Sequence, residues 1–496
     1  MKYTNPVIKG FNPDPSICVV DEDYYLVNSS FEFYPAVPIY HSKNLVNWEL
    51  INYCLVDETQ IPLGNCRSSH GIFAPTIRYH NGTFYMITTN VSGGGHFFVK
   101  TNDIYGKWSQ PIWIDAKGID PSLYFEDDKV YFSSTAITDD KKHAIATSEI
   151  ELETGKLLSE HKIVSLGTGG TYCEGPHLYK IGKFYYLLTA EGGTSFSHQS
   201  CILRGNSPYG PFEPSPYGPM LTHKDRDDIK LHATGHSDMF CDHKGNWWLV
   251  SLGIRTIEGA SMHNLGRETF LSPVHWTEDG WPIAGDMGKI EFEMEADLPS
   301  ELETTNNNFY DDFKSSERSL HWTFVRNPNL NNFIFDKGLT ILGNEQSLND
   351  FHPNFIGVRQ KDFNMSAQTT LQIKNEGYAG ISAFYNMSYH YDVYLEKKKN
   401  LNYIVLSLTT HEKTNVIKSV KIDSDTAKLK IEADAHKYYF YYHNGNDWIL
   451  LDWAYVAGIC SEGHIFTTFT GTFIGLFSTQ TKAKFDYFSI EYKDWL

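Results

Sequence analysis

The amino-acid sequence predicts an all-β protein, a five-bladed β-propeller followed by a C-terminal β-sandwich. Three observations lead to this fold class. A four-residue motif recurs five times within residues 1–298, and helical periodicity is almost absent there. After residue 308 short alternating strand patterns replace the motif. Each copy begins a pattern of strand, polar turn and aromatic-rich strand, which is typical of a β-hairpin.

The clearest copies of the motif are Asp14-Pro15-Ser16-Ile17 and Asp120-Pro121-Ser122-Leu123. The second residue of the motif is Pro15, Pro75, Pro121, Pro176 and Ser237 in the five copies. An aromatic residue follows ten positions after each of these, at Tyr25, Tyr85, Tyr131, Tyr186 and Trp247. The aligned positions are 60, 46, 55 and 61 residues apart, by subtraction of successive numbers. These spacings match propeller blades, whereas solenoid repeats are shorter.

The second domain follows a polar stretch. We predict a propeller over residues 1–298, a linker over 299–308 that starts at Pro299, and a sandwich over 309–496. The turn His443-Asn444-Gly445-Asn446 is typical of a β-hairpin. The alternating patterns that predict sandwich strands lie at 333–342, 369–373, 391–395, 403–408, 437–442, 448–453 and 473–477. Seven or more strands without helices favour a sandwich.

Composition limits the partners. A formal net charge of -18 disfavours nucleic acid and anionic membranes, which require positive charge. The 15% aromatic content suits strands and also platforms for sugar rings. The seven cysteines are scattered and show no disulfide or zinc pattern, which suits a reducing compartment. Because the sequence shows neither a signal peptide pattern nor a long apolar stretch, we expect a cytoplasmic protein. The charge favours a small neutral substrate. We expect no organic cofactor.

Four polar residues occupy equivalent places in the repeats. The innermost strands of a propeller begin at one end of the central channel, so residues that open these strands converge. Here they are Asp14, Asp120, Glu174 and His236. The alternative is that Asp-Pro and Glu-Gly-Pro only mark turns. Three acidic copies in phase favour a site.

Carboxyl groups in such a site suit glycosidic bond cleavage, which needs an acid and a second carboxylate. Glu174 is the candidate acid, because Tyr172 and Cys173 precede it and a less polar setting raises a carboxyl pKa. Asp14 and Asp120 share the same Asp-Pro-Ser context, so local sequence does not assign their roles.

His236 and three further residues have two interpretations each. His236 is either a cation ligand in the channel or a core histidine. Arg255 is either a surface residue or a side chain that forks onto a carboxylate or sugar hydroxyls. Phe31 and Phe73 are either core residues or a platform for a sugar ring.

These motifs together resemble glycoside hydrolase family 43, in particular its two-domain β-xylosidase and α-L-arabinofuranosidase members. The likeness rests on five motifs spread over the chain, Asn12-Pro13-Asp14-Pro15-Ser16, Gly118-Ile119-Asp120-Pro121-Ser122, Glu174-Gly175-Pro176-His177, Gly235-His236-Ser237-Asp238 and Leu265-Gly266-Arg267-Glu268-Thr269. At Phe73 the chain departs from the β-xylosidase pattern, which often has Trp there, so the resemblance leaves the preferred pentose open.

The resemblance implies an inverting, exo-acting hydrolase that releases β-D-xylose, α-L-arabinofuranose or both from xylo-oligosaccharides or arabinoxylan fragments. It implies that Asp14 is the general base, Glu174 the general acid and Asp120 the residue that modulates the pKa of the acid. It also implies that Arg255 contacts substrate and that Phe31 walls the sugar subsite.

The resemblance further implies a structural calcium ion or another cation near His236 and a concanavalin-like sandwich that closes the pocket with Phe469. Dimers or tetramers are common in similar enzymes. Three other interpretations stay open: a retaining β-fructosidase or sucrase, an endo-acting arabinanase, and a non-catalytic sugar-binding propeller.

Overall fold

The computed structural model describes residues 1–257 and 261–493, so the last three residues of the predicted sandwich lie outside the described part. Nearly all regular structure is β, with three short 3₁₀ turns at Leu330–Asn332, Val456–Ile459 and Ser461–Gly463. No helix within the described residues is long and apolar enough to cross a membrane.

The first 24 strands lie almost entirely in the propeller. In chain order they are β1 (Lys2–Thr4), β2 (Ser16–Val20), β3 (Asp23–Val27), β4 (Phe33–Tyr34), β5 (Ala36–Ser42), β6 (Glu49–Leu55), β7 (Thr76–His80), β8 (Thr83–Asn90), β9 (Gly95–Thr101), β10 (Ile112–Ile114), β11 (Ser122–Glu126), β12 (Lys129–Ile137), β13 (His143–Glu149), β14 (Lys162–Ser165), β15 (Glu174–Ile181), β16 (Phe184–Glu191), β17 (Gln199–Gly205), β18 (Glu213–Pro214), β19 (Leu221–Thr222), β20 (Leu231–Cys241), β21 (Trp247–Arg255), β22 (Glu268–Trp276), β23 (Pro282–Ala284) and β24 (Glu293–Glu295).

Five antiparallel sheets form the blades; a copy of the repeated motif lies at the start of the inner strand in the first four blades and in the middle of β20 in the fifth. From the channel outward they are β2-β3-β5-β6, β7-β8-β9-β10, β11-β12-β13-β14, β15-β16-β17-β18 with β19 on β17, and β20-β21-β22-β23. The first strands of the blades contact one another around the channel. The five-bladed propeller predicted from the repeats is confirmed.

The N-terminal segment joins the first and last parts of the propeller. Strand β1 pairs with β24, and Ile8 forms a bridge with Thr269 of the fifth blade. The buried amide of Asn5 donates to the carbonyl of Leu271 at 3.0 Å. Residues before the first repeat therefore fix the ring where it closes.

The remaining fifteen strands, together with β4, form two packed eight-stranded sheets. They are β25 (Phe309–Asp311), β26 (Thr323–Val325), β27 (Phe333–Phe335), β28 (Leu339–Leu342), β29 (Phe355–Arg359), β30 (Met365–Ile373), β31 (Gly377–Asn386), β32 (Tyr389–Lys398), β33 (Leu401–Thr410), β34 (Lys413–Ile422), β35 (Thr426–Ala433), β36 (Lys437–His443), β37 (Trp448–Tyr455), β38 (Phe473–Thr479) and β39 (Lys482–Tyr492). The sandwich predicted from the alternating patterns is confirmed.

One predicted sandwich strand is divided. The pattern at 333–342 gives β27 and β28, because Lys337 and Gly338 turn the chain with φ of 48° and 126°. Glycine reaches such values without a side-chain clash. The hairpin at His443-Asn444-Gly445-Asn446 joins β36 to β37 as predicted.

The two domains share a sheet. Strand β4 belongs to the propeller by sequence, but it pairs with β26 at the edge of a sandwich sheet. Buried residues of both domains, among them Tyr34, Ile72 and Phe324, pack in one apolar cluster. The sandwich is thereby held against the end of the propeller where the inner strands begin.

Candidate active site

A cavity of about 520 Å³ lies at this end of the channel, between the propeller and the sandwich. Propeller loops form its floor and most of its walls, and the sandwich loop at Thr467 and Phe469 covers one side. The polar residues predicted from the repeats all line it, namely Asp14, Asp120, Glu174 and His236.

Asp14 is held as an ionised carboxylate. It is 4% exposed, and Nη1 of Arg267 donates to its Oδ1 at 2.9 Å while the hydroxyl of Ser29 donates to its Oδ2. Burial is the largest single effect and by itself raises the pKa of Asp14, but Arg267, His236 and the Ser29 hydroxyl together outweigh it, so the pKa lies below its usual range. Nδ1 of His236 lies 3.4 Å from Oδ1 of the same carboxylate.

Glu174, in contrast, favours its protonated form. It begins β15 and is only partly exposed to solvent. Burial, together with the negative charge of Asp14, raises the pKa of Glu174 to about 7. Glu174 therefore retains a proton at a pH where Asp14 has lost its own.

Asp120 lies beside Glu174. One donor atom from each of Asp120, Glu174 and His236 lies within 4.8 Å of the other two. Burial and the neighbouring charge of Glu174 raise the pKa of Asp120 well above its usual value. Two carboxyl groups this close disfavour double ionisation, so the pair keeps a proton near neutral pH.

The backbone at the site is unusual. Asp14, Phe31, Asp120 and His236 all have positive φ, between 43° and 53°. Such conformations cost energy in non-glycine residues and cluster at functional sites. Position 175 requires glycine, because a Cβ there would lie 2.8 Å from Nε2 of His236.

Three phenylalanines wall the cavity. The ring centroids of Phe31 and Phe73 are 5.1 Å apart, and the ring of Phe469 stacks on Phe31 at 5.6 Å. The sandwich therefore contributes an aromatic ring directly to a wall of the propeller cavity.

Backbone groups hold Phe469 in this place. Its N–H donates to Oγ of Ser69 at 3.0 Å, and its carbonyl accepts from Nη2 of Arg267 at 3.2 Å. Since Arg267 also binds Asp14, the sandwich loop and the carboxylate share one arginine.

The sequence matches two family models. The model described as glycosyl hydrolases family 43 matches residues 3–282, which is more than half of the chain. The model described as beta xylosidase C-terminal concanavalin A-like domain matches residues 310–491. This protein belongs to glycoside hydrolase family 43.

Relatives in family 43 match along nearly their whole length. A non-reducing end alpha-L-arabinofuranosidase of Bacteroides ovatus is 37% identical over 99% of this chain and 95% of its own. A beta-xylosidase of Bacillus subtilis is 32% identical, over 99% and 100%. Among solved structures, a Bacteroides ovatus xyloglucan PUL GH43B protein matches with a TM-score of 0.93 at 36% identity, over 99% and 100%, and a xylan beta-1,4-xylosidase from Bacillus halodurans with 0.92 at 28%, over 99% and 100%.

Arg255 does not line the cavity of this family 43 protein. Its guanidinium is 2% exposed and binds Glu268 at 2.7 Å and Asp362 at 3.0 Å, at the contact between the domains. The expectation that Arg255 contacts substrate is therefore corrected, since Arg267 is the arginine in the cavity. Arg267 stands in a motif that carried the resemblance, but sequence alone does not show which strand end faces the channel.

Sequence reasoning also missed part of the cavity wall near Glu174. Thr171, Tyr172 and the segment from Gly192 to Ser197 line it, and Tyr172 is 53% exposed. A Cβ on Gly193 would lie 2.8 Å from the Tyr172 ring, so glycine allows this close packing. The available signal was the position of Tyr172, two residues before the candidate acid.

The described protein donor atoms near His236 are too few to complete the coordination of a calcium ion by themselves. Calcium takes six to eight oxygen ligands, whereas the cluster offers the carboxyls of Asp120 and Glu174 and one imidazole nitrogen. The gap bounded by His177, His236 and the two aspartates Asp14 and Asp120 is too narrow for a water molecule.

A protein cation lies farther along the channel. Nη1 of Arg78 donates to Oδ2 of Asp238 at 2.7 Å, and its Nη2 lies 2.9 Å from Nδ1 of His177. These residues come from the inner strands of three blades. The Arg78 guanidinium thus supplies positive charge inside the channel.

Proposed function

We propose that this protein is an inverting, exo-acting glycoside hydrolase that releases terminal β-D-xylose, α-L-arabinofuranose or both from xylo-oligosaccharides or arabinoxylan fragments. The observation that carries the proposal is the pair of carboxyl groups in one cavity, Asp14 in an ion pair with Arg267 that favours its ionised form, and Glu174 buried so that its pKa rises to about 7. Hydrolysis of a glycosidic bond needs this combination.

In the proposed reaction Asp14 takes a proton from a water molecule as that water attacks the anomeric carbon. Glu174 gives its proton to the glycosidic oxygen as the bond to the leaving group breaks. Asp120 keeps the acid side of the cavity protonated near neutral pH, because the two adjacent carboxyls resist double ionisation. Arg267 keeps Asp14 unprotonated through their ion pair.

The shape of the cavity supports removal of single terminal sugars. Phe469 covers it from the sandwich side, against Phe31 and Phe73. A chain passing through would have to displace this ring, whereas a chain end can enter. Because Glu174 would protonate the leaving oxygen, the leaving group would lie on the side of the cavity lined by Glu174 and the half-exposed Tyr172.

The choice of a pentose is supported by the relatives, which include a protein named arabinofuranosidase and one named beta-xylosidase. Measuring release of 4-nitrophenol from β-D-xylopyranoside, α-L-arabinofuranoside and β-D-glucopyranoside tests it. We expect turnover of one or both pentosides and at least about 100-fold lower kcat/KM for the glucoside, since the extra hydroxymethyl group must fit a closed wall. Equal or better turnover of the glucoside would contradict the proposal.

We further propose a cytoplasmic location and a homodimer or homotetramer. All seven cysteines are free thiols, which suits a reducing compartment.

Strand β34 lies at a sheet edge with Val416 62% and Ile417 44% exposed, and such an edge can pair with another chain. Light scattering coupled to size-exclusion chromatography measures the assembly, and a monomer at micromolar concentration would contradict it.

A further inference from the structure

A second cavity lies between the first blade and the sandwich, separate from the carboxylate cavity. It measures about 90 Å³ and is lined by Asn12, Tyr40 and Trp48 of the propeller and by Arg359 and Lys361 of the sandwich. Lys9 and Lys361 also line a larger crevice of about 780 Å³ beneath the linker. The small cavity therefore adjoins a crevice between the domains.

Arg359 reaches this cavity with an incomplete set of partners. Its side chain is 7% exposed, its Nε donates to the carbonyl of Phe11 at 2.8 Å, and its guanidinium lies over the rings of Phe11 and Phe473. Nη2 is buried without a hydrogen-bond acceptor among the described residues. A buried cationic N–H without an acceptor is costly.

Lys361 is the second cation of the cavity. It is partly buried, and its ammonium group forms no ion pair with a carboxylate of the described residues. Burial and the positive charges of Arg359 and Lys9 lower the pKa of Lys361 to about 8. Two positive groups thus lie close together with neither neutralised.

The nearby acids are already engaged. Asp362 is shared by Lys9 and Arg255, each at 3.0 Å. Glu268 accepts two hydrogen bonds from the same Arg255. Arg359 and Lys361 are therefore in excess at this interface, in a chain whose net charge is -18.

We propose that Arg359 and Lys361 form a binding site for a small oxyanion of the phosphate type at the contact between the two domains. An arginine and a lysine together suit such a ligand, the first through directed N–H groups and the second as a point charge. A water molecule could accept a hydrogen bond there but could not balance the charge. The cavity is several times the space one water needs, about 10–15 Å³, so a tetrahedral anion has room.

The oxyanion could be free phosphate or the phosphate group of a larger molecule, because the adjoining crevice has room for an attached organic part. In either case the anion would contact the sandwich strand end at Arg359 and the propeller segment near Lys9. It would therefore stabilise the contact between the domains, since a ligand that binds only the folded protein favours that state.

Binding to the full-length protein tests the proposal. Isothermal titration calorimetry at constant ionic strength, with inorganic phosphate in one arm and ribose 5-phosphate in the other, should give saturable binding to the wild type. Lys361→Met should weaken affinity about tenfold or more, since a charge-assisted hydrogen bond is lost. Lys314→Met removes a charge from a side chain that is 78% exposed outside the crevice and should bind like the wild type.

The two ligands and the Lys361→Met variant distinguish the possible results. Tighter binding of ribose 5-phosphate than of phosphate would assign the anion to a larger molecule, and equal binding would assign it to the free ion. No saturable binding of either ligand to the wild type, or equal binding to Lys361→Met, would overturn the site. Pentosidase activity of Lys361→Met should equal that of the wild type, so failure of this proposal is distinguishable from failure of the proposed function.

Discussion

Asp14 and Glu174 face one cavity but have different charged neighbours. Arg267 forms a direct ion pair with Asp14 at 2.9 Å, whereas burial and the charge of Asp14 outweigh the weaker effect of Arg267 on Glu174. Identical functional groups therefore take opposite protonation states, and the difference comes from a few ångströms of placement. The sequence predicted both residues because each opens an equivalent strand, while the arginine that separates their roles lies far away in the chain.

Replacing the acid tests its role. We expect Glu174→Gln to lower kcat/KM for xylobiose or an arabinosyl oligosaccharide by about 100- to 10,000-fold, because the leaving oxygen is no longer protonated. Substrates with a 2,4-dinitrophenyl leaving group need little protonation and should be affected much less. Glu153→Gln, on an exposed side chain, is the matched control and should act like the wild type. Equal losses on both substrate types would contradict the assignment.

The pH dependence follows from the same two groups. Activity requires Asp14 unprotonated and Glu174 protonated, so kcat/KM should fall as pH rises through about 7 and should fall at low pH only below the usual aspartate range. The measurement is kcat/KM from pH 3 to pH 9. In Glu174→Gln, assayed with the dinitrophenyl substrate, the alkaline fall should disappear and the acid fall should remain. An alkaline fall that persists in the variant would assign it to another group.

At the scale of elements, the loop from Ser461 to Phe469 connects the sandwich to the cavity. Its Phe469 ring packs on propeller rings, and its backbone is fixed by Ser69 and Arg267. The family resemblance identified Phe469 from the segment Thr468-Phe469-Thr470-Gly471, which looks like the aromatic loop of similar enzymes. Sequence could not identify Ser69, because a serine 400 residues away in the chain becomes its partner only through the domain contact.

The loop should control substrate binding. Phe469→Ala should raise KM about 10-fold or more because a ring is lost from the wall, and Ser69→Ala about 2- to 10-fold because one hydrogen bond is lost. Phe466→Ala is the control, since that ring is 78% exposed on the same loop. Steady-state kinetics with an aryl pentoside give the answer, and unchanged KM in Phe469→Ala would reduce the loop to a structural role.

Regular patterns made the elements predictable and irregular ones did not. The blades repeat an anchor and an aromatic ten residues later, so their number and order follow from the chain. Strand β4 has only two residues and pairs across the domain boundary with Phe324 and Val325, which no local pattern indicates. The arginine error has the same cause, because Arg255 and Arg267 flank neighbouring strand ends and only the assembled fold places one in the cavity.

At the scale of the whole molecule, ion pairs and shared strands join the two domains. Arg255 of the propeller binds Asp362 of the sandwich and Glu268 of its own blade, all three nearly excluded from solvent. Removing one member of a buried ion cluster leaves the others uncompensated, which is more costly than losing a surface pair. The proposed oxyanion site lies in the same interface.

We therefore expect Arg255→Met to lower the free energy of unfolding by about 3–5 kcal/mol while leaving KM of the folded enzyme nearly unchanged. Urea unfolding and steady-state kinetics below the transition measure the two quantities. Arg226→Met, which removes surface pairs to Asp228 and Glu291, should cost at most about 1 kcal/mol. A large rise in KM with unchanged stability would return Arg255 to the substrate contacts.

The central claim is that water attacks a terminal pentose with Asp14 as base and Glu174 as acid, and the anomeric form of the first product tests it most directly. Proton NMR during hydrolysis of an aryl β-D-xylopyranoside, and of an aryl α-L-arabinofuranoside, distinguishes the anomers before they equilibrate. We expect α-xylose from the first substrate, β-arabinose from the second, or both, as inversion requires. Initial release of the anomer already present in the substrate would contradict the account, because it would require a covalent intermediate and a nucleophilic carboxylate.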